Sequence, residues 1–185
     1  MKHKLLNFDK FYSQLDLPFS ETNIKSIREI FQTLEQKFGL KRNSRQKFID
    51  LGSGNGSVVI FAALNYNIKS EGIEIDKSLI NEFKSRLISL KKEGKYTKNL
   101  FKKIKIRLGD LFFINPRKYD FIYIYSLPII HKFLKHIFYK AKKGVIIISH
   151  KYRLDNFDSI LKEEYCLKHK YEKQKISTFY YQKFT

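Results

Sequence analysis

Apolar residues follow two different spacings along this chain, and the first of them is helical. Between Thr22 and Gly39 they recur every three or four positions; the members of this run are Ile24, Ile27, Phe31, Leu34 and Phe38. This spacing predicts an amphipathic helix, which Ser20 can cap at its start and Gly39 suits at its end. We therefore expect residues 1–46 to form a helical N-terminal segment.

After this segment, short apolar or alternating runs are separated by longer runs at helical spacing. The predicted strands are the apolar run before Gly52 and residues 70–76, 104–110, 119–125 and 145–148. The predicted helices are 57–64, 78–92 and 130–142, and a hairpin is predicted from 165–173 and 176–183. This alternation predicts an α/β fold: a Rossmann-like, doubly wound sheet of seven strands, mostly parallel, with the antiparallel hairpin at its C-terminal edge. A length of 185 residues fits a single domain, 1–185, with 47–185 as its core.

The segment from Phe48 to Ser57 reads FIDLGSGNGS and places glycine at every second position of a loop. Gly52, Gly54 and Gly56 allow a tight turn that brings main-chain N–H groups close to a ligand. An apolar strand precedes the loop and an apolar helix follows it, which is the context that a nucleotide-type cofactor requires. We expect the whole loop to contact the cofactor, including the two residues between the glycines, Ser53 and Asn55.

The details of the loop favour S-adenosylmethionine over a dinucleotide. A dinucleotide fingerprint has the spacing G-x-G-x-x-G, whose third glycine would fall at Ser57, whereas this loop has G-x-G-x-G. Asp50 also stands two residues before the first glycine, where its charge would repel a pyrophosphate. S-adenosylmethionine carries an ammonium and a sulfonium and no phosphate, so an acid beside it is favourable.

Two further acids are expected at the ends of the next two strands. Glu74 lies about 20 residues after the glycines, where a carboxylate can accept hydrogen bonds from ribose hydroxyls. Asp110 follows Gly109 at the end of an alternating run and can reach the adenine amino group. Ile75 and Leu111, the residues that follow these acids, complete the predicted cofactor site. Because ligands bind at the carboxyl ends of parallel strands, we expect these residues to converge with Asp50 in one crevice.

The chain resembles class I, seven-strand S-adenosylmethionine-dependent methyltransferases over residues 47–185. The resemblance depends on three motifs, which read DLGSGNG, GIEID and GDLF in this sequence. Within that class it is similar to small archaeal protein lysine methyltransferases and to their eukaryotic relatives that methylate mitochondrial lysines, including those of ATP synthase subunit c. The segments that carry this similarity are 18–22, 126–128, 149–150 and 177–181. Glu21 stands where that family usually has a second proline.

The narrower resemblance implies methyl transfer to the side-chain amine of a protein lysine. Tyr125, Ser126 and Pro128, at the carboxyl end of the fourth strand, are the predicted acceptor residues, together with His150 at the end of the fifth. Tyr123 and Tyr125 share one face of their strand and can present aromatic walls to an amine; the alternative for both is ordinary packing within the sheet. His150 can either line the site or lie in a solvated turn.

Charge introduces an alternative acceptor. Lys and Arg number 37 against 18 Asp and Glu, so the net charge is +19. Such a surface can bind nucleic acid, which keeps an RNA or DNA methyltransferase open, although the basic residues are spread and are equally consistent with a solvated surface. Residues 126–129 read SLPI and lack the paired prolines and aromatic residue typical of amino-methylating nucleic-acid enzymes. A binding protein that has lost catalysis is a further alternative, which an intact cofactor loop disfavours.

Cysteine and apolar content set the remaining expectations. Cys166 is the single cysteine of the sequence, which excludes an internal disulfide and argues against a thiolate zinc site. The apolar runs are shorter than the roughly 18 residues that a membrane span needs. We therefore expect a cytoplasmic monomer without a membrane span or a structural metal. Its expected partners are a protein substrate with an accessible lysine and, through the basic surface, nucleic acid.

Overall fold

Seven strands form one sheet in the computed structural model, which describes residues 19–170 and 175–185. In chain order the strands are β1 (Lys47–Leu51), β2 (Lys69–Glu74), β3 (Ile104–Leu108), β4 (Phe121–Ile124), β5 (Ile146–His150), β6 (Leu161–Lys168) and β7 (Ser177–Lys183). Their order across the sheet is β3-β2-β1-β4-β5-β7-β6. The first five are parallel, whereas β7 is antiparallel to both β5 and β6. The predicted Rossmann-like sheet of seven strands with an antiparallel hairpin is confirmed.

Helices connect the parallel strands on both faces of the sheet. In chain order they are α1 (Ile24–Lys37), α2 (Ser57–Tyr66), α3 (Lys77–Lys92), α4 (Lys98–Phe101), α5 (Pro128–His131) and α6 (Lys135–Lys140). Short 3-10 turns occupy Leu111–Phe113, Pro116–Lys118 and Lys132–Leu134. Within residues 19–170 and 175–185, no helix is both long enough and apolar enough to cross a membrane.

The central strands β1, β4 and β5 are mostly apolar and are buried at every position but Lys47, because both faces of the sheet are covered. Phe48 and Tyr123 project to the face that α1 and α2 cover. Ile49 and Ile124 project to the opposite face, which packs against α5, α6 and the loop before β6. The alternation of side chains along a strand thus divides one apolar run between two cores.

The first helix begins later than the apolar spacing predicts. Asn23, not Ser20, is its N-cap, and the Asn23 side chain accepts a hydrogen bond from the backbone N–H of Lys25 at 2.8 Å. The end is as predicted: α1 stops at Lys37, and Gly39 follows with φ +70°. Residues 1–18, which include Pro18 and the first part of the predicted N-terminal segment, lie outside the described residues.

Two C-terminal elements also differ from the prediction. The predicted helix 130–142 is divided into α5 and α6 by a 3-10 turn; it starts at Pro128, whose ring fits the first helical turn, and ends before the extended backbone of Ala141. The hairpin begins earlier, at Leu161, because this residue already pairs with Lys183 across the ladder. The last predicted positions of the first hairpin strand, residues 171–173, are not among those described.

The parallel strands place five loops at one edge of the sheet. All of β1 to β5 end there, so the segments that follow them face one another even though the sequence separates them widely. These segments are 52–56, 75–76, 109–111, 125–127 and 151–152. This edge carries the candidate site.

The core under α1 provides a test of the fold. Phe31 is fully buried and its ring lies 5.2–5.3 Å from the rings of Phe48, Phe61 and Tyr66. Replacing Phe31 with Ala should lower the free energy of unfolding by about 3–5 kcal/mol, because it leaves a cavity where these rings meet. Ile24→Ala on the same helix, at a position 53% exposed, should change it by less than about 1 kcal/mol. Urea denaturation of both variants measures the difference; equal losses would contradict the packing.

Candidate active site

Two glycines of the loop after β1 fill positions where a side chain does not fit. A Cβ on Gly54 would lie 2.2 Å from Cε2 of Phe19, and Gly54 has a φ of +52°. A Cβ on Gly56 would lie 2.6 Å from Cδ1 of Ile106, and Gly56, at φ +78°, is the N-cap of α2. Glycine is therefore required at these two positions for two physical reasons: the backbone is left-handed, and the side chains of Phe19 and Ile106 leave no space for a Cβ.

Glu74 fixes this loop to the end of β2. One carboxylate oxygen accepts from the backbone N–H of Gly54 at 2.7 Å, and the other accepts from Ile75 and Asp76 at 2.8 and 2.9 Å. A carboxylate offers about four acceptor sites, so capacity remains for a hydroxyl. Glu74 thus holds the loop in place and can still bind the ribose hydroxyls for which it was predicted.

Asp50 lies buried under the loop, without a hydrogen-bond partner for Oδ1 among the described residues. Burial raises the pKa of Asp50 well above its usual range, and the nearby charge of Glu74 raises it further. Ser53 Oγ and Ser126 Oγ are buried and unpaired in the same way. Because buried polar atoms are nearly always hydrogen-bonded, these three atoms at one cleft are available to a ligand; Ser70 Oγ and Arg107 Nε, also buried and unpaired among the described residues, do not line it.

The cleft between these loops has a volume of about 770 Å³. Four carboxylates line it, those of Glu21, Asp50, Glu74 and Asp76. Aromatic rings come from Phe19, Tyr123, Tyr125 and Tyr152. Lys151 is the one cationic residue among the described residues that line the cleft. On a protein with a net charge of +19, this cleft is a local acidic site that favours cationic ligands.

Residues 19–22, here called the N-terminal strap, run along the cleft and are held at three points. The Thr22 hydroxyl and the Tyr123 hydroxyl are hydrogen-bonded at 2.8 Å. The Tyr125 hydroxyl donates to Ser20 Oγ at 3.2 Å. Glu21 pairs with Arg86 on α3 at 3.1 Å, and both side chains contact the hydroxyl of Ser57 at the start of α2. The strap therefore joins both sides of the cleft above the glycine loop.

Most of the predicted site residues lie together at this cleft. Those that line it are Asp50, Gly52, Ser53, Asn55, Glu74, Ile75, Leu111, Tyr125 and Ser126. Asp110 lies beside a smaller cavity that adjoins the cleft, and its carboxylate also caps the following 3-10 turn through the Phe112 N–H at 2.8 Å. For Tyr123 both of the predicted roles, packing within the sheet and lining the site, are observed: its ring packs against Phe48, and the residue also lines the cleft.

Four of the predicted site residues line neither the cleft nor the smaller cavity: Gly54 and Gly56, which pack against Phe19 and Ile106, and Pro128 and His150. Pro128 begins α5. His150 lies at neither a rim nor a solvated turn: it is 3% exposed, behind Tyr125, with the two rings edge to face at 5.0 Å. The reason is that β5 extends to His150 and β7 pairs with it, which covers a position expected at the surface.

His150 belongs to a buried chain of hydrogen bonds. Its Nδ1 lies 2.7 Å from Oγ1 of Thr178, which lies 2.8 Å from Nε2 of His169; Nδ1 of His169 lies 2.7 Å from a carboxylate oxygen of Glu29. The Thr178 hydroxyl has one hydrogen, so it donates to one imidazole and accepts from the other. One threonine hydroxyl thus connects the two buried imidazoles, and through His169 it connects them to Glu29.

Several residues of the site carry no signal in the sequence. Arg86, Lys151 and Tyr152 line or support the cleft, yet none stands in a motif. Glu21 was noted only as a departure from a family pattern. Arg86 is one of many basic residues on a helix, and Lys151 follows a strand whose end was expected two residues earlier. Only the fold brings them to the acidic loops.

The residues fit S-adenosylmethionine. An acidic, partly aromatic cleft suits a ligand with an ammonium and a sulfonium, and the unpaired atoms of Asp50, Ser53 and Ser126 supply buried acceptors or donors. Glu74 retains acceptor capacity for the ribose, and the glycine loop lets main-chain groups approach closely. When bound, the cofactor supplies a methyl group on an electrophilic sulfonium.

Asp50 provides a test that separates stability from binding. Replacing Asp50 with Asn removes a charge that burial disfavours, so the ligand-free protein should become more stable by about 1 kcal/mol or more. The same change should abolish most of the stabilisation that S-adenosylmethionine gives the wild type. Thermal unfolding with and without cofactor measures both effects. A variant that is less stable yet still stabilised by the cofactor would contradict this role.

His150 predicts a pH dependence of stability. Burial, with the nearby charges of His169 and Lys151, lowers the pKa of His150 to about 3, against about 6.5 in the unfolded chain. Between these values the unfolded state binds the extra proton, so acidification below about pH 6.5 should destabilise the protein by up to about 1.4 kcal/mol per pH unit. The raised pKa of Asp50 changes the pH dependence of stability in the opposite direction. The contribution of His150 is therefore measured as a difference between the wild type and a variant of His150.

His150→Asn is that variant, because an amide can still pair with Thr178 but does not titrate. The wild type should lose stability relative to His150→Asn as the pH falls from about 7 to about 5. Urea denaturation at each pH gives this difference, from which the contribution of Asp50 cancels. A constant difference would show that His150 does not titrate differently in the two states.

Comparisons with known proteins agree with the cleft. The family model of the histone methylation protein DOT1 matches residues 3–177. The structure is similar to that of an RNA methyltransferase from Salinibacter ruber in complex with S-adenosyl-L-homocysteine, with a TM-score of 0.69 and 21% identity over 89% of this chain and 94% of that chain. No curated protein sequence matches significantly.

Two other solved structures share the fold. A Pyrococcus horikoshii protein provisionally described as an RNA methyltransferase has a TM-score of 0.66 and 18% identity, over 91% of this chain and 89% of that chain. An S-adenosylmethionine-dependent methyltransferase from Thiobacillus denitrificans, also with S-adenosyl-L-homocysteine, has a TM-score of 0.56 and 15% identity, over 87% of this chain and 56% of that chain. At these identities the likeness concerns the fold.

Two of these similar structures contain S-adenosyl-L-homocysteine, and the residues of the cleft described above fit S-adenosylmethionine. The sheet order, the glycine loop, the acidic cleft and the family model, which matches almost the whole chain, lead to one conclusion. The chain belongs to the family of the histone methylation protein DOT1 and is an S-adenosylmethionine-dependent methyltransferase with a class I fold.

Proposed function

We propose that this protein transfers the methyl group of S-adenosylmethionine to the side-chain amine of lysine in a protein. The observation that carries the proposal is the lining of the cleft: four carboxylates and four aromatic rings against a single cation among the described lining residues. This lining attracts an ammonium through its charge and through cation–π contact, and it repels a phosphate. The match to a family described by histone methylation supports the same acceptor.

The chemistry asks little of the protein beyond alignment and exclusion of water. Methyl transfer is an in-line displacement, so the amine must present a lone pair to the methyl group. A free lysine has a pKa near 10.4, so the neutral amine costs roughly 4.6 kcal/mol at pH 7. Burial in the cleft and a neighbouring positive charge both lower this pKa, which removes the need for a strong general base.

Residues of the cleft can align the acceptor amine and exclude water. The rings of Tyr125 and Tyr152 stand at the ends of neighbouring parallel strands and can guide the aliphatic stem and the amine of lysine. Ser126 Oγ, buried and unpaired, can accept a hydrogen bond from the amine. The N-terminal strap joins Tyr123 and Tyr125 to α3 above the loop and limits the access of water.

RNA is the second candidate acceptor, favoured by the net charge of +19. The basic surface can hold the phosphate backbone, and a flipped base would stack on the same tyrosines. The carboxylates at the cleft oppose this acceptor, because a phosphate approaching the rim meets Glu21 and Asp76. Protein lysine therefore remains the better-supported acceptor.

Transfer of a radiolabelled methyl group distinguishes the two acceptors. The enzyme is incubated with labelled S-adenosylmethionine and either core histones or total RNA, and the product is digested with protease or nuclease. We expect protease-sensitive label that hydrolysis releases as methyl-lysine, and about 100-fold less with Asp50→Asn. Nuclease-sensitive label would show that the acceptor is RNA and not protein lysine, with S-adenosylmethionine still the methyl donor. A wild type that binds S-adenosylmethionine but labels neither fraction would contradict the proposal.

A further inference from the structure

One cation stands in this otherwise acidic cleft, and the backbone that presents it is strained. Lys151 directly follows β5 at the carboxyl edge and lines the cleft together with Tyr125 and Ser126. Its φ of +71° lies in the left-handed region, which is unfavourable for a residue with a side chain. Such conformations persist where surrounding contacts enforce them, and they concentrate at functional sites.

The contacts that enforce this conformation are present around the turn. The backbone N–H of Lys151 donates to the Ser177 carbonyl at 2.8 Å, which ties the turn to β7. The Ser149 hydroxyl donates to the Tyr152 carbonyl at 2.6 Å and closes the turn across Lys151. The ammonium lies 5.6 Å from the centroid of the Tyr152 ring. The side chain is thus directed toward the cleft by two hydrogen bonds and one aromatic contact.

Lys151 remains an ammonium at neutral pH. Tyr125 is the main cause that raises the pKa of Lys151 above its usual value, burial acts against it, and Tyr152 adds a smaller increase. Since an ordinary lysine is already an ammonium at neutral pH, Lys151 places a positive charge beside the two tyrosines.

A fixed positive charge acts differently on the two forms of a lysine acceptor. It raises the free energy of the bound ammonium by Coulomb repulsion and leaves that of the bound neutral amine almost unchanged. The carboxylates that line the same cleft, Glu21 and Asp76 among them, act in the opposite direction. Lys151 therefore makes the pKa of the bound amine lower than it would be without this charge, and a larger fraction of bound lysine carries the lone pair that displacement requires.

We propose that Lys151 keeps the bound acceptor amine unprotonated by placing a second ammonium beside it. The inference rests on the proposed function, since it requires an acceptor that is cationic in solution. Lys151 accepts no proton and forms no bond in this role; the proton leaves the acceptor to solvent before methyl transfer.

The role has a kinetic signature that a structural role does not share. Without the charge, more of the bound lysine is protonated, so kcat falls at neutral pH and the acidic limb of its pH profile moves upward. The bound ammonium is also less disfavoured, so KM falls by the same factor. The ratio kcat/KM, which depends on the free enzyme and free lysine, stays almost constant.

The test compares Lys151→Gln with two matched variants. Lys151→Arg keeps the charge at the same site. Lys143→Gln removes one exposed positive charge near the amino end of the same strand, at the opposite edge of the sheet. Cofactor affinity and thermal unfolding are measured for each variant. If Lys151→Gln folds poorly, Lys151→Asn replaces it, because Asn tolerates the left-handed conformation.

Initial rates with core histones are measured from about pH 6 to about pH 10, which brackets the titration of lysine. For Lys151→Gln at neutral pH we expect kcat and KM both to fall about threefold to tenfold, the effect of one unit charge across a hydrated cleft. Lys151→Arg and Lys143→Gln should behave as the wild type.

The opposite change in KM would overturn the inference. If Lys151→Gln raises KM and leaves the pH profile of kcat in place, Lys151 binds an anionic group of the substrate instead. An unchanged kcat and KM would equally exclude the proposed role. Failure of the proposed function is seen separately, in the wild type alone: label in RNA only, or in neither substrate, overturns lysine methylation and this inference with it.

Discussion

The site depends on one buried carboxylate that accepts three backbone hydrogen bonds. Glu74 binds the N–H of Gly54 on the loop after β1 and the N–H groups of Ile75 and Asp76 after β2. A backbone N–H that is buried must be paired, and a loop of alternating glycines has no side chains to hold its shape. The carboxylate therefore sets the conformation of the loop, and with it the floor of the cleft, before any ligand binds.

Burial, and in addition the charge of Glu74, make ionisation of Asp50 unfavourable in the ligand-free protein. Asp50 is buried beside Glu74, and two like charges in a region of low polarity disfavour ionisation. A cationic cofactor relieves this repulsion. The buried carboxyl group therefore lowers the stability of the ligand-free protein, and binding of a cation offsets this loss. Such a loss of stability is common at sites that bind charged ligands. The net charge of +19 lies elsewhere on the molecule and does not describe the site.

The acceptor side is assembled from elements distant in sequence. Tyr125 comes from the end of β4, Lys151 from the end of β5, and the strap hydroxyls of Ser20 and Thr22 from before α1. Behind this wall, the Thr178 hydroxyl joins two buried imidazoles and so connects β7 to β5. The antiparallel hairpin is therefore part of the site's support, because it covers the strand that carries Lys151.

The spacing of apolar residues and the spacing of the glycines by themselves determined the fold class and the cofactor loop. A strand buried on both faces requires apolar residues, and a loop with left-handed backbone requires glycine. These spacings also identified Asp50 and Glu74, because strand ends in a parallel sheet meet at one edge. Tertiary structure decided the rest. His150 is buried because β7 extends along β5, Ser20 binds Tyr125 instead of capping a helix, and Arg86 and Lys151 reach the cleft only through the fold. In the sequence, the charge and polarity of such residues predict surface positions. Their place at the cleft or behind it depends on their neighbours in space, which the local sequence pattern does not encode.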